Sequence, residues 1–205
     1  MQTGGILLLG GASTRMGATK ADLEWFGRPL AAHVADVLSA AGAAPVVAVT
    51  AVGQALPELP SGVECVHDTV ADEGPVRGLE SGLIAIGDRA DVVFVASVDL
   101  PLLHPSFVRG LLAALTDKFD AVVPISDGHR HPLAAVYRTS VLTTVSALLA
   151  EGVRGANALP DRIASRILDE ADLLALPGLV PADLDALFNV NTPEDLAAAR
   201  LRFRL

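Results

Sequence analysis

Short apolar runs alternate with longer segments of helical periodicity along the chain, and this alternation limits the possible folds most strongly. The sequence predicts helices at 29–41, 75–86, 105–115, 140–150 and 193–201. It predicts strands at 6–9, 45–50, 63–67, 92–97, 121–124, 132–137, 167–168 and 188–190. Such alternation is typical of an α/β fold, a mostly parallel sheet with helices on both faces. The loops that follow the strands then share one edge of the sheet, where ligands bind.

Length and composition exclude several classes of protein. A chain of 205 residues suits one domain, 1–205, and the formal net charge of -9 without a basic cluster argues against a nucleic-acid surface. Cys65 is the sole cysteine, so an intrachain disulfide is excluded. No apolar run approaches the roughly 20 residues of a membrane span. We expect a soluble, cytoplasmic protein that binds neither nucleic acid nor a membrane.

The loop GGASTRMGATK, residues 10–20, follows the first predicted strand. It matches neither the Walker A spacing nor the G-x-G-x-x-G spacing. Gly10 and Gly11 would still let backbone N–H groups approach phosphate oxygens, and Arg15 and Lys20 would neutralise their charge. This pattern favours a phosphate-binding loop, and a surface loop with two solvated cations is the alternative.

Asp99 follows the apolar run VVFVAS, at the predicted carboxyl end of a central strand. A carboxylate there is costly to bury unless a cation or hydrogen bonds compensate it. Magnesium commonly uses one or two carboxylates together with substrate phosphates, so Asp99 is a candidate Mg²⁺ ligand. The alternative is an Asx turn in which Asp99 accepts backbone N–H bonds.

Four motifs together resemble those of the molybdenum cofactor guanylyltransferases. These are GGASTRMGATK, VDLP, DGHRHPLAAVYR and FNVNTPEDL, and their order matches along the whole chain except for weak coverage of residues 150–187. The resemblance implies the nucleotide-diphospho-sugar transferase fold, a Rossmann-like three-layer α/β architecture with one antiparallel strand. It also implies transfer of GMP from GTP to the phosphate of molybdopterin or molybdenum-molybdopterin, with Mg²⁺ as cofactor and transient contact with other cofactor-biosynthesis proteins.

The resemblance further implies roles for individual residues. Arg15, Lys20 and Asp99 would be catalytic, and Asp99 would bind the metal. The implied nucleotide site consists of Leu9, Gly10, Gly11, Arg15, Lys20, Asp68, Gly74 and Asp99. Asp68 would meet guanine, since a carboxylate can accept from both N1–H and the exocyclic amino group. The alternative for Asp68 is an acidic residue that stabilises a turn, and the alternative for Gly74 is the start of a helix without a ligand contact.

The implied acceptor site consists of His131, Pro132, Asn189 and Asn191. Helix capping at Thr192 accounts for the residues that follow the two asparagines but leaves both amides unexplained. For His131 and Pro132 a turn before a strand is the alternative. His129 and His131 are too few for a zinc site, since Cys65 is distant in sequence.

Two positions depart from the family pattern. Thr19 stands where many relatives carry an acid, which could alter metal geometry or acceptor choice, and Val98 replaces a usual cysteine and is expected to face the core. Two competing hypotheses remain at this point. The protein could be a related nucleotidyltransferase that uses CTP or another phosphorylated acceptor, or a catalytically silent nucleotide-binding protein.

Overall fold

A twisted β-sheet forms the middle layer of the computed structural model, which describes residues 1–10, 20–68 and 73–203. The strands are β1 (Thr3–Leu8), β2 (Glu24–Trp25), β3 (Arg28–Pro29), β4 (Val46–Thr50), β5 (Val63–His67), β6 (Val92–Ser97), β7 (Ala121–Ser126), β8 (His129–Arg130), β9 (Ala134–Arg138) and β10 (Ser165–Leu168). The α-helices are α1 (Leu30–Ala40), α2 (Gly74–Ile86), α3 (Pro105–Ala114), α4 (Leu142–Ala150), α5 (Glu170–Leu174) and α6 (Pro193–Arg202). None of the helices in these ranges is long and apolar enough to cross a membrane.

The main sheet has the strand order β5-β4-β1-β6-β9-β7-β10, with β8 paired to β7. Strands β5, β4, β1 and β6 are parallel, and β10 is parallel to β7. Strand β9 runs antiparallel to both β6 and β7. The predicted α/β fold with a mostly parallel sheet and one reversed long strand is therefore confirmed.

Alternate side chains of β1 enter two separate hydrophobic cores. Ile6 and Leu8 pack with buried residues of α2 and α4 on one face of the sheet. Leu7 and Leu9 pack with buried residues of α1 and α3 on the other. Because successive side chains of a strand point to opposite faces, β1 supports a helical layer on each face of the sheet, and the fold has three layers.

Helix α2 lies unusually close to β1. A Cβ atom added at Gly82 would lie 2.6 Å from Cγ2 of Ile6, well inside van der Waals contact. The absence of a side chain at Gly82 permits this approach.

The structure corrects the sequence prediction in several places. Residues 188–190 form no strand: Val190 donates one hydrogen bond to the Asp99 carbonyl (2.9 Å), and a 3-10 helix (Pro181–Leu187) and α6 flank the segment closely. The β2–β3 hairpin and β8 were not predicted, because two-residue strands carry no measurable periodicity. Helix α1 begins after Pro29, which is its N-cap.

Candidate active site

The carboxyl ends of the four parallel strands β5, β4, β1 and β6 meet at one edge of the sheet. Hydrogen bonds extend the pairing beyond the strands, from Val98 N–H to the Leu8 carbonyl (3.1 Å) and from Asp68 N–H to the Thr50 carbonyl (2.8 Å). Asp68 and Asp99 therefore lie at the same edge, as the sequence predicted. Ligands of open α/β sheets bind at such an edge.

Lys20 joins two of the predicted site residues at this edge. Its Nζ lies 2.9 Å from Oδ2 of Asp99 and 2.8 Å from Oδ1 of Asn191. The Lys20 and Asp99 side chains are only 18% and 17% exposed, so water screens this ion pair less than one on the open surface. Lys20 is separated in sequence from Asp99 by 79 positions and from Asn191 by 171 positions, so the fold brings distant parts of the chain together.

Asn191 is held in place by the first turn of α6. Oδ2 of Asp195 accepts hydrogen bonds from the backbone N–H groups of Asn191 and Thr192, both at 2.9 Å, and the Thr192 hydroxyl accepts from Asp195 N–H at 3.1 Å. This capping box holds the Asp195 pKa below its usual value, chiefly through the hydrogen bond from Asn191. Asp195 is not among the predicted site residues, although the T-x-x-D spacing of Thr192 and Asp195 is a sequence signal for this cap.

Leu9 and Gly10 continue from β1 to this edge. The Leu9 side chain is buried in the core, and its carbonyl accepts a hydrogen bond from Nε2 of Gln54 at 3.2 Å. A Cβ at Gly10 would make only ordinary contacts, the nearest at 3.6 Å, so packing in the described ranges does not require glycine there. Gly11 and Arg15 lie outside the described residues.

Asp68 carries a partly unsatisfied carboxylate. Its Oδ1 is buried and has no hydrogen-bond partner within residues 1–10, 20–68 and 73–203. Burial raises the pKa of Asp68, against smaller opposing effects of the Ser81 hydroxyl and the Arg77 guanidinium. An acceptor oxygen that is buried without a donor suits a ligand that presents N–H groups.

Gly74 opens α2, so the helix start is confirmed and the proposed base contact stays a prediction. Its φ is +71°, and an added Cβ would lie 2.8 Å from the carbonyl oxygen of Arg154. The backbone conformation and this close contact together explain glycine at position 74 without a ligand.

A cavity of about 320 Å³ opens beside Asp99 on the side of the reversed strand β9. His131, Pro132 and Asn189 line it together with Asp99, so three of the four predicted acceptor residues lie in one cavity. Asn191 reaches the same region through Lys20. The reversed strand creates this arrangement, because the residues that precede β9 lie beside those that follow β6.

His131 is fixed by a short hydrogen bond that the sequence did not reveal. Its Nε2 lies 2.8 Å from Oγ of Ser126, and its backbone N–H donates to the Pro124 carbonyl at 2.9 Å. Burial is the main cause that lowers the pKa of His131, and the neighbouring His129 lowers it further. The imidazole is therefore neutral near pH 7 and can orient a ligand by hydrogen bonding.

No group of three or more His, Cys, Asp or Glu side chains forms a metal cage within the described ranges. The site offers instead one carboxylate, Asp99, and the amide oxygen of Asn191, with the Lys20 ammonium bound to both. Oxygen ligands of this kind fit Mg²⁺ when substrate phosphates complete the coordination. The donor set is compatible with the predicted ion.

The residues predicted to bind the nucleotide divide between two places along the edge. Asp68 follows β5 and Asp99 follows β6, with β4 and β1 between them, which corresponds to about 14 Å at the usual strand spacing. A ligand that contacts both must therefore be extended along the edge, as a nucleotide is.

Comparison with known proteins places this site in a family. The family model described as MobA-like NTP transferase domain matches residues 5–167. The chain is 35% identical over 201 residues to a probable molybdenum cofactor guanylyltransferase of Mycobacterium avium, covering 97% of this chain and 95% of that one. A protein of the same name from Mycobacterium tuberculosis is 35% identical over 197 residues, covering 95% and 91%.

Solved structures share the fold. The molybdopterin-guanine dinucleotide biosynthesis protein A from Archaeoglobus fulgidus superposes with a TM-score of 0.76 at 22% identity, covering 100% of this chain and 99% of that one. The 2-C-methyl-D-erythritol 4-phosphate cytidylyltransferase from Thermus thermophilus gives a TM-score of 0.65 at 18% identity, covering both chains completely.

The fold and the relatives together define the class of this protein as a nucleotidyltransferase. Within that class, the chain belongs to the MobA-like NTP transferase family.

Proposed function

We propose that the protein transfers GMP from GTP to the terminal phosphate of molybdopterin and releases pyrophosphate. The observation that carries this proposal is the Lys20–Asp99–Asn191 cluster at the sheet edge, which combines a cation, a carboxylate and an amide beside a cavity. The names of the relatives that are 35% identical support the choice of GTP and molybdopterin over other substrates.

The reaction needs no covalent enzyme intermediate. An oxygen of the acceptor phosphate attacks the α-phosphorus of GTP and forms a new P–O bond. The bond from the α-phosphorus to the bridging oxygen breaks, and pyrophosphate leaves with the electron pair. Catalysis then consists of alignment and neutralisation of charge.

The residues beside Asp99 would perform that alignment. The Lys20 ammonium would neutralise phosphate oxygens, and Asn191, fixed by Asp195, would limit where Lys20 can point. Asp99 would hold Mg²⁺, which when bound polarises phosphate oxygens and stabilises the charge of the leaving pyrophosphate. On a protein of net charge -9, local cations must offset the repulsion of a triphosphate. We include Gly10, Gly11 and Arg15 in the same phosphate site on the basis of their motif.

The two ends of the site would recognise different parts of the substrates. The Asp68 carboxylate, whose Oδ1 has no partner within the described ranges, would accept from N1–H and the exocyclic amino group of guanine. Cytosine presents no such pair of adjacent donors, which favours GTP over CTP. On the other side, neutral His131 together with Pro132 and Asn189 would border the acceptor phosphate.

Pyrophosphate release tests the proposal directly. Purified protein, Mg²⁺ and molybdopterin are mixed with GTP or with CTP, and the product is analysed for a guanine or cytosine dinucleotide. We expect turnover with GTP that requires Mg²⁺ and molybdopterin. Faster turnover with CTP would identify a cytidylyltransferase, and nucleotide binding without turnover would identify a silent binding protein.

A further inference from the structure

A second groove lies next to the acceptor cavity and, unlike that cavity, is not lined by Asp99. Its volume is about 520 Å³, and it shares Arg130, His131 and Asn189 with that cavity. The two spaces therefore adjoin along these three residues, and the groove reaches Arg202 at the end of α6. The roles assigned above do not use this groove.

The lining of the groove includes an arginine that lies over an aromatic ring. The guanidinium carbon of Arg202 lies 4.3 Å from the centroid of the Phe188 ring. Nη1 of Arg202 also donates to Oδ1 of Asp185 at 2.9 Å, which holds the guanidinium in place. Arg202 is 43% exposed, so part of its guanidinium group is open to a ligand. Guanidinium groups and aromatic rings are the surfaces on which planar heterocycles stack.

The lining of the groove also provides a hydrogen-bond acceptor. Glu170 lines the groove, is exposed, and has no hydrogen bond or ion pair within the ranges that the structure describes. A carboxylate can accept from two adjacent N–H groups of a heterocycle. The groove thus combines a stacking surface with an open carboxylate.

We propose that this groove binds the pterin ring system of the acceptor, stacked on Arg202, with its amino edge directed to Glu170. The proposal rests on the proposed function, which supplies molybdopterin as the acceptor. Molybdopterin carries its phosphate at one end and, at the other, a fused pterin whose pyrimidinone ring is planar. With the phosphate beside Asp99, the pterin can reach the groove, because Arg130, His131 and Asn189 line both spaces.

The test measures steady-state kinetics with molybdopterin and GTP for Arg202→Ala, Arg202→Lys and Glu170→Gln. Arg89→Ala is the matched control, because Arg89 is also 43% exposed and paired with a carboxylate, that of Glu64, but lies at the opposite end of the strands. Stacking energies correspond to about a tenfold rise in the KM for molybdopterin in Arg202→Ala. We expect unchanged KM for GTP and nearly unchanged kcat, because a remote contact made equally in ground and transition states alters KM alone.

Several results would overturn the proposal. An unchanged molybdopterin KM in both Arg202→Ala and Glu170→Gln would exclude the groove while leaving the proposed function intact. Full activity of Arg202→Lys would show that charge and not a flat stacking surface is required. If the wild-type protein releases no pyrophosphate with GTP and molybdopterin, the proposed function and this inference both fail. Because Glu170 is exposed and unpaired within the described ranges, Glu170→Gln keeps the test valid even if Arg202→Ala unfolds.

Discussion

The Lys20 ammonium lies 2.9 Å from the Asp99 carboxylate, so the carboxylate that we assign to Mg²⁺ already has a cation as partner. An arriving metal ion must share Asp99 with Lys20 or displace it toward the phosphates. The bond from Lys20 to Asn191 gives the displaced ammonium a second anchor. If Asp99 binds Mg²⁺ as we propose, Lys20 and the metal would be coupled through one carboxylate.

Asp99→Asn should remove most of the turnover and preserve the fold. The amide keeps the shape of the side chain but loses the charge that would bind Mg²⁺, and loss of one preorganised electrostatic group costs roughly 10² to 10³ in rate. Single-turnover pyrophosphate release across a Mg²⁺ titration measures this loss, and a thermal melt checks folding. Near-normal turnover at saturating Mg²⁺ would exclude Asp99 from the metal site.

Asp68→Asn should stabilise the protein near pH 7 and weaken discrimination between GTP and CTP. Burial raises the folded-state pKa of Asp68, so folding disfavours its ionised form. The cost of burying ionised Asp68 therefore destabilises the fold once the pH exceeds the unfolded-state pKa of this carboxyl group. At lower pH the group is protonated in both states, and the cost is absent. The neutral amide avoids the cost but offers one acceptor oxygen and two donors to guanine.

Two measurements check Asp68. Unfolding free energies from about pH 3 to pH 7 should show the gain in stability for Asp68→Asn only at the higher pH. Calorimetry should show GTP affinity reduced about tenfold, the equivalent of one charged hydrogen bond. Equal losses of affinity for GTP and CTP would show that Asp68 acts on the phosphates or on the stability of the fold and does not contact the base.

Asp195→Ala should lower turnover through Asn191 and also remove part of the acid sensitivity of the fold. Hydrogen bonds from Asn191 and Thr192 lower the folded-state pKa of Asp195. The resulting stabilisation is present above the unfolded pKa, whose reference value is 3.8, and is lost as the pH falls through the folded pKa. The loss of stability between about pH 6 and pH 3 should be smaller in Asp195→Ala than in the wild type. An identical pH profile would contradict the assigned role of this capping box.

Gly82→Ala should destabilise the fold by roughly 1 to 3 kcal/mol, the usual cost of overpacking a core. The added Cβ would overlap Ile6, whereas Gly155→Ala, with no atom within 4 Å and a negative φ, serves as the control for folding. In the double variant with Ile6→Ala the clash is relieved, so the two losses should not add. Additive losses in denaturant unfolding would show that the helix and strand can move apart.

The sequence predicts the large elements of this fold and less of its fine structure. Strand β1 is predictable because its apolar run is continuous, and the edge rule then brings Asp68 and Asp99 to one side of the sheet. The β2–β3 hairpin turns at Phe26 and Gly27, both with positive φ, and Phe26 carries no sequence signal for such a turn. The apolar residues of the 188–190 segment suggested a strand. Within the described ranges, however, the segment makes only one backbone hydrogen bond toward the sheet, from Val190 to Asp99, and forms no strand.

The candidate site is predictable to a similar extent. Lys20 and Asp99 could be expected at the same edge from the strands that precede them, whereas Asn191 is placed there by the family resemblance, since the described residues directly before it form no strand. The bond between Ser126 and His131, and that between Gln54 and the Leu9 carbonyl, depend on side-chain packing that no short motif encodes. The groove at Arg202 depends on where α6 ends relative to Phe188.

The reversed direction of β9 divides the candidate site into two sides that are built by different parts of the chain. The side that we assign to the nucleotide donor is built by residues up to Asp99, in strands that each lead into the next parallel strand through a crossover. The acceptor side is built from the hairpin between β7 and β9 and from the segment before α6. A hairpin can lengthen or change sequence without moving a crossover helix, so the side that we assign to the acceptor can vary while the side that we assign to the nucleotide stays the same.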